Sequence, residues 1–145
     1  MDYREYAKDL LARKKNLIAA YGAIRLELNT LEQEKTACKS LVNECASLGK
    51  DESFYEDRLI NTLANLDDCR FRMSVVEREL TKIEKGMANL GEYERDLLDV
   101  FYVEQSQSAA DDLMDRWFKE RSSVYRDKNR ALDSFTRSIY GVLQL

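Results

Sequence analysis

The residues of this 145-residue chain best suited to chemistry lie in Arg121-Ser122-Ser123-Val124-Tyr125-Arg126-Asp127-Lys128-Asn129-Arg130-Ala131-Leu132, and the chemistry is recognition. On a helical period Val124, Ala131 and Leu132 share an inner stripe, which leaves Ser122, Ser123, Tyr125, Arg126, Asn129 and Arg130 around the outer and N-terminal surface. Arginine forks onto guanine and asparagine onto adenine with paired hydrogen bonds. Serine hydroxyls and the free amides of a helix N-terminus hold phosphate. The spacing therefore predicts contact with double-stranded DNA, with Arg126, Asn129 and Arg130 on base edges. Lys119, Arg121, Ser122, Ser123 and Lys128 fall to the phosphate backbone, with Tyr125 beside them. The same stretch admits a second reading, in which a basic amphipathic helix shows a solvated face or pairs with the acidic residues just before it.

Catalytic constellations are hard to assemble elsewhere. The chain has no histidine, and so lacks the commonest metal ligand and the general base that titrates nearest neutrality. It has no glycine-rich phosphate loop and no cysteine pair at zinc-site spacing, and its carboxylates are spread along helix faces. It is not read as an enzyme, and no catalytic residue, cofactor or metal is expected. Cys38, Cys45 and Cys69 are odd in number and fall on apolar stripes, so they read as reduced core residues.

Positioning the basic stretch requires a small helical unit. From Glu92 to Asp115 eight acids stand against Arg95 alone, whereas from Arg116 to Arg137 seven bases stand against three acids; the overall charge of −4 hides this segregation. Three helices fit. The first runs from Glu92 to about Val103, with Leu97, Leu98, Phe101 and Tyr102 inward. The second follows an N-cap at Ser108 and buries Ala110, Leu113, Met114, Trp117 and Phe118. After a tight connection at Lys119-Glu120, Ser122 or Ser123 caps a third, whose inner stripe is Val124, Ala131, Leu132, Phe135 and Ile139; its recognition surface spans about 122–140.

Ahead of this unit the pattern is a hairpin. Leu17, Tyr21, Ile24, Leu28, Leu31, Lys35, Cys38, Val42 and Cys45 alternate by four and three, a heptad seam that Gly49 ends. Ser53-Phe54-Tyr55-Glu56 reads as a capping box that restarts the helix. A second seam runs Leu59, Leu63, Leu66, Cys69, Met73, Val76, Leu80, Ile83, Met87, Leu90, with one three-residue slip. Two arms of about 40 residues give an antiparallel coiled coil on the order of 60 Å long. Off-seam Leu10, Leu11, Ile18, Leu26 and Ile60 call for dimerisation or for cover from the C-terminal unit. With no proline and only five glycines, the expected fold is all-α: a hairpin over 1–90 and a helix-turn-helix domain over 91–145. Neither a leader-like apolar run after Met1-Asp2-Tyr3-Arg4-Glu5 nor a stretch near the roughly 18 apolar residues of a membrane span occurs, so a cytoplasmic location without membrane contact is expected.

The segment Glu120-Arg121-Ser122-Ser123-Val124-Tyr125-Arg126-Asp127-Lys128-Asn129-Arg130-Ala131-Leu132-Asp133-Ser134-Phe135-Thr136, ending in Ile139-Tyr140-Gly141, resembles the recognition-helix segment of small phage and prophage proteins. Those are similar to region four of bacterial sigma factors and to the ArpU/RinA-like late-gene regulators. Leu90, Arg95, Leu97, Leu98 and Tyr102 match the pattern that precedes that helix. The resemblance covers roughly Leu90 to Gly141. It implies a sequence-specific transcriptional regulator in a bacterial host cell, acting as a homodimer on promoter DNA, with RNA polymerase or another host protein as a further partner. The alternative reading is a phage-encoded inhibitor or adaptor that binds a protein through the hairpin and the acidic patch.

Overall fold

The computed structural model describes residues 1–145 and is all-α. Its helices are α1 (Tyr3–Ala12), α2 (Lys14–Ser47), α3 (Ser53–Ala88), α4 (Glu92–Leu98), α5 (Ala109–Trp117) and α6 (Arg121–Tyr140), with a π-helical turn over Asp99–Val103 after α4. No helix is long and apolar enough to cross a membrane.

The chain divides into two compact units, but not at Leu90 as the hydrophobic pattern suggests. One is Ala19–Glu77; the other joins Met1–Ile18 to Arg78–Leu145. The physical reason lies in α1. Ala7, Leu10 and Leu11, spaced to share one face, are fully buried in a core with Ile83, Leu90, Leu98, Ala131, Leu132 and Phe135. Each buried leucine there is worth about 1.5–3 kcal/mol, which holds the first turns of the chain to α6. The arrangement is also tied polarly: Arg4 Nε donates to Asp133 at 2.7 Å, and the Tyr3 amide donates to the Leu143 carbonyl at 2.9 Å.

Ala19–Glu77 is the antiparallel hairpin, with a core of Ile24, Leu31, Leu66, Cys69 and Met73 flanked by Tyr21, Leu28 and Val76. Its first seam is as the heptad spacing predicts. Lys35 leaves that seam to pair with Glu32 at 3.2 Å. The second seam is corrected: Thr62 is 3% exposed and Leu63 39%, so the buried line runs Leu59, Thr62, Leu66, Cys69, Met73 and Val76 with no slip. A methyl and a hydroxyl fill the seam position, and the larger leucine faces outward. Cys38 and Cys69 are buried and Cys45 is half-buried; all three are free thiols.

At the hairpin turn Gly49 takes φ +66, and the Lys50 amide donates to the Cys45 carbonyl at 2.8 Å, closing α2. The cap of α3 is Asp51 and not the Ser53 box. Asp51 Oδ1 accepts from the Ser53 hydroxyl at 2.6 Å and from its amide at 3.0 Å, and these bonds hold the carboxyl below its usual range. A carboxylate two residues upstream reaches the orphan donor better than serine can.

Gly86 of α3 shows how closely the larger core is packed. A Cβ there would sit 2.4 and 2.5 Å from the Phe135 ring and 3.0 Å from Ile139 Cδ1. The ring is fully buried and cannot step aside. Gly86→Ala is therefore expected to destabilise despite the roughly 1 kcal/mol gain in helix propensity, because overpacking costs about 1–3 kcal/mol. A thermal melt followed by circular dichroism checks this: the variant melts lower by a few degrees.

Candidate nucleic-acid interface

Three helices and the π-helical turn build the C-terminal site. Leu97, Val100, Ala109, Leu113 and Val124 form its core, edged by Tyr93, Phe101, Met114 and Trp117. The first helix anticipated to Val103 is α only to Leu98; the π-helical turn then brings Phe101 and Tyr102 to the surface half-buried. Ser108 stands at the N-cap of α5 as expected, but its hydroxyl donates to Asp112 at 3.1 Å and accepts no backbone amide.

Between α5 and α6 lie only Phe118, Lys119 and Glu120. Phe118 ends α5 with φ +54, and the Lys119 amide returns to the Met114 carbonyl at 3.3 Å. This side chain is 93% exposed, which corrects its assignment to the core. The left-handed turn points it away from the helix stripe that its sequence position predicts. Trp117 stays half-buried, its Nε1 donating to Asp96 at 2.7 Å.

The third helix begins at Arg121 with Glu120 as its cap, two or three residues earlier than a cap at Ser122 or Ser123 implies. Glu120 occupies the N-cap in extended conformation and no side chain satisfies the first-turn amides. Val124, Ala131, Leu132, Phe135 and Thr136 are buried. Opposite them an exposed arc carries Ser122, Arg126, Asn129, Arg130 and, two turns on, Arg137. Asn129, Arg130 and Arg137 are bonded to no other side chain. Arg126 makes only loose contacts, at 3.7 Å to Asp127 and 3.5 Å to the Ser123 hydroxyl. Arg137 was missed by sequence reasoning, although its spacing of seven from Arg130 places it on the same face.

The remaining site residues are placed otherwise. Lys128 does not face the arc: its ammonium lies over Phe101 at 4.9 Å, Tyr125 at 5.1 Å and Tyr102 at 6.0 Å. Burial, and then the charge of Lys8, lowers its pKa. Cation–π attraction compensates this lysine where a phosphate was expected to. Tyr125 packs on Phe101 at 5.7 Å and keeps its outer edge exposed. Arg121 pairs with Asp111, and Arg116 with Asp96 at 2.6 Å, so part of the segregated charge closes on itself. Lys119 is exposed with its ammonium 5.3 Å from the Tyr93 ring, and Ser123 is half-buried.

Tyr93 fixes α4 to α6. Its hydroxyl donates to Asp127 at 2.8 Å and its ring lies 5.3 Å from Trp117. Burial, followed by the Asp127 hydrogen bond, pushes its pKa up to about 12. Because the folded value is raised above the unfolded 10.0, the stabilisation is complete below pH 10 and is lost as pH rises through about 12. The Tm difference between wild type and Tyr93→Phe is thus expected to hold constant up to pH 10 and to close toward pH 12. A constant difference throughout would contradict the assignment.

Comparison with protein-family models, curated proteins and solved structures returns no match.

Proposed function

We propose that the protein is a phage- or prophage-type, sequence-specific DNA-binding transcriptional regulator, with the N-terminal half of α6 as its reading helix in the major groove. The observation that carries this reading is the arc of Arg126, Asn129 and Arg130. Two arginines and an asparagine, residue types suited to base edges, stand exposed and free of strong partners, behind a three-residue turn from α5. Ser122, the uncapped amides of the first turn and Lys119 hold the phosphates, and Arg137 extends the grip along the same face. Two copies present two such helices about one DNA turn apart, which multiplies the few contacts that one helix makes. RNA polymerase or another host protein is the further partner of this reading.

A second reading is favoured by Phe118, whose fully exposed ring in a left-handed turn suits a protein pocket better than DNA. The protein would then be an inhibitor or adaptor. Salt separates the two. Each phosphate neutralised makes DNA affinity fall about threefold between about 50 and 200 mM salt, whereas an apolar contact responds little. Fluorescence anisotropy with labelled random duplexes at both concentrations is expected to show that steep loss. No binding at the lower concentration would turn the assignment to the protein-binding reading.

A further inference from the structure

Helix α3 (Ser53–Ala88) buries one seam and leaves a second unburied. On the outer face of α3, Asp57, Ile60, Ala64, Phe71, Val75 and Arg78 follow one another at heptad-compatible spacing, and all are exposed. Ile60 is 63% and Phe71 67% exposed, a cost for a monomer in water. The line from Asp57 to Arg78 is about 32 Å long at about 1.5 Å per residue.

Three features of this face are complementary to the face itself in one alignment. Laid against a second copy running the other way, with the midpoint between Asp67 and Asp68 on the twofold axis, Phe71 comes opposite Ala64. Ile60 comes opposite Val75, and Asp57 opposite Arg78, each pairing occurring twice. The large ring meets the small methyl, as knobs-into-holes packing requires. Asp57 and Arg78 have no ion-pair partner within their own chain, whereas Asp67, Asp68, Arg70 and Arg72 between them on α3 do. A parallel arrangement would instead set each charge against its like. Asp67 and Asp68 come to the middle of the pair, where Arg70 at 3.9 Å and Arg72 at 3.0 Å already offset them.

We propose that the protein forms a homodimer through this outer face of α3, paired antiparallel with the same face of a second copy. This names the surface for the self-association invoked above, and its test uses no DNA, so it stands or fails apart from that reading.

The test is sedimentation equilibrium of the full chain, with circular dichroism confirming that each variant is helical. Wild type is expected to be a dimer in the micromolar range. Phe71→Glu and Asp57→Arg are each expected to raise the dissociation constant by about tenfold or more, a change of about 1.4 kcal/mol. The double exchange Asp57→Arg with Arg78→Asp restores the dimer, because opposite charges again face each other. Leu26→Glu, on the outer face of α2, leaves it intact. A monomeric wild type, a dimer that survives Phe71→Glu, or failure of the double exchange to restore what Asp57→Arg removes would overturn the proposal.

Discussion

Alanine at Arg126 or Arg130 is expected to cost the protein about 1–3 kcal/mol of preference for its best DNA sequence, a factor of about 5 to 150 in affinity. Affinity for random duplex should fall only by the small amount that one lost charge represents. The two effects differ because a guanidinium forked onto a base edge carries sequence information, whereas any cation serves a phosphate. Both arginines sit on the exposed arc of α6, where truncation leaves Val124, Ala131 and Leu132 packed as before. Competition binding against a preferred and a scrambled duplex measures it. Lys128→Ala is the informative contrast: that side chain rests on Phe101, Tyr125 and Tyr102, so its loss should lower stability and leave sequence preference unchanged.

The largest stability effect is expected at Phe135. Its ring is wholly buried among Leu10, Leu11, Ile83 and Leu98, and fills the space that Gly86 leaves open. Phe135→Ala should cost about 3–5 kcal/mol, a large share of the 5–15 kcal/mol that holds most domains folded. Urea unfolding measures the loss. The same contact predicts coupling. In Phe135→Leu the added methyl of Gly86→Ala meets a smaller neighbour, so the double variant should lose less than the two single losses combined. Additive losses would mean that the ring and the glycine do not share the space between α3 and α6.

Much of this architecture is legible in the residues themselves. The first seam, the second apart from one position, the glycine that ends α2 and the three C-terminal helices follow from period and from turn chemistry, because a helix with one apolar stripe has few ways to bury it. Elsewhere several arrangements satisfy the same local pattern. Leu10 and Leu11 read as off-seam residues of a long arm, and only the bulk of Phe135 and Leu132 in space shows what they cover. Thr62 and Leu63 compete for one seam position, and regular alternation decided for the less apolar side chain. Phe118 reads as core on its helix stripe, but a left-handed residue at the helix end redirects its side chain, and nothing in its type announces that conformation. In the candidate site, Arg126, Asn129 and Arg130 lie where the period places them. Lys128 does not, because the π-helical turn brings Phe101 and Tyr102 beneath it.

The claim that α6 reads DNA is tested most directly by capturing random and genomic duplex fragments with the purified protein at about 50 and 200 mM salt, and sequencing what is retained. A motif enriched at the lower concentration, weakened at the higher, and lost with Arg126→Ala or Arg130→Ala is the expected result. Retention of no DNA at the lower concentration, or a motif indifferent to both substitutions, would contradict it.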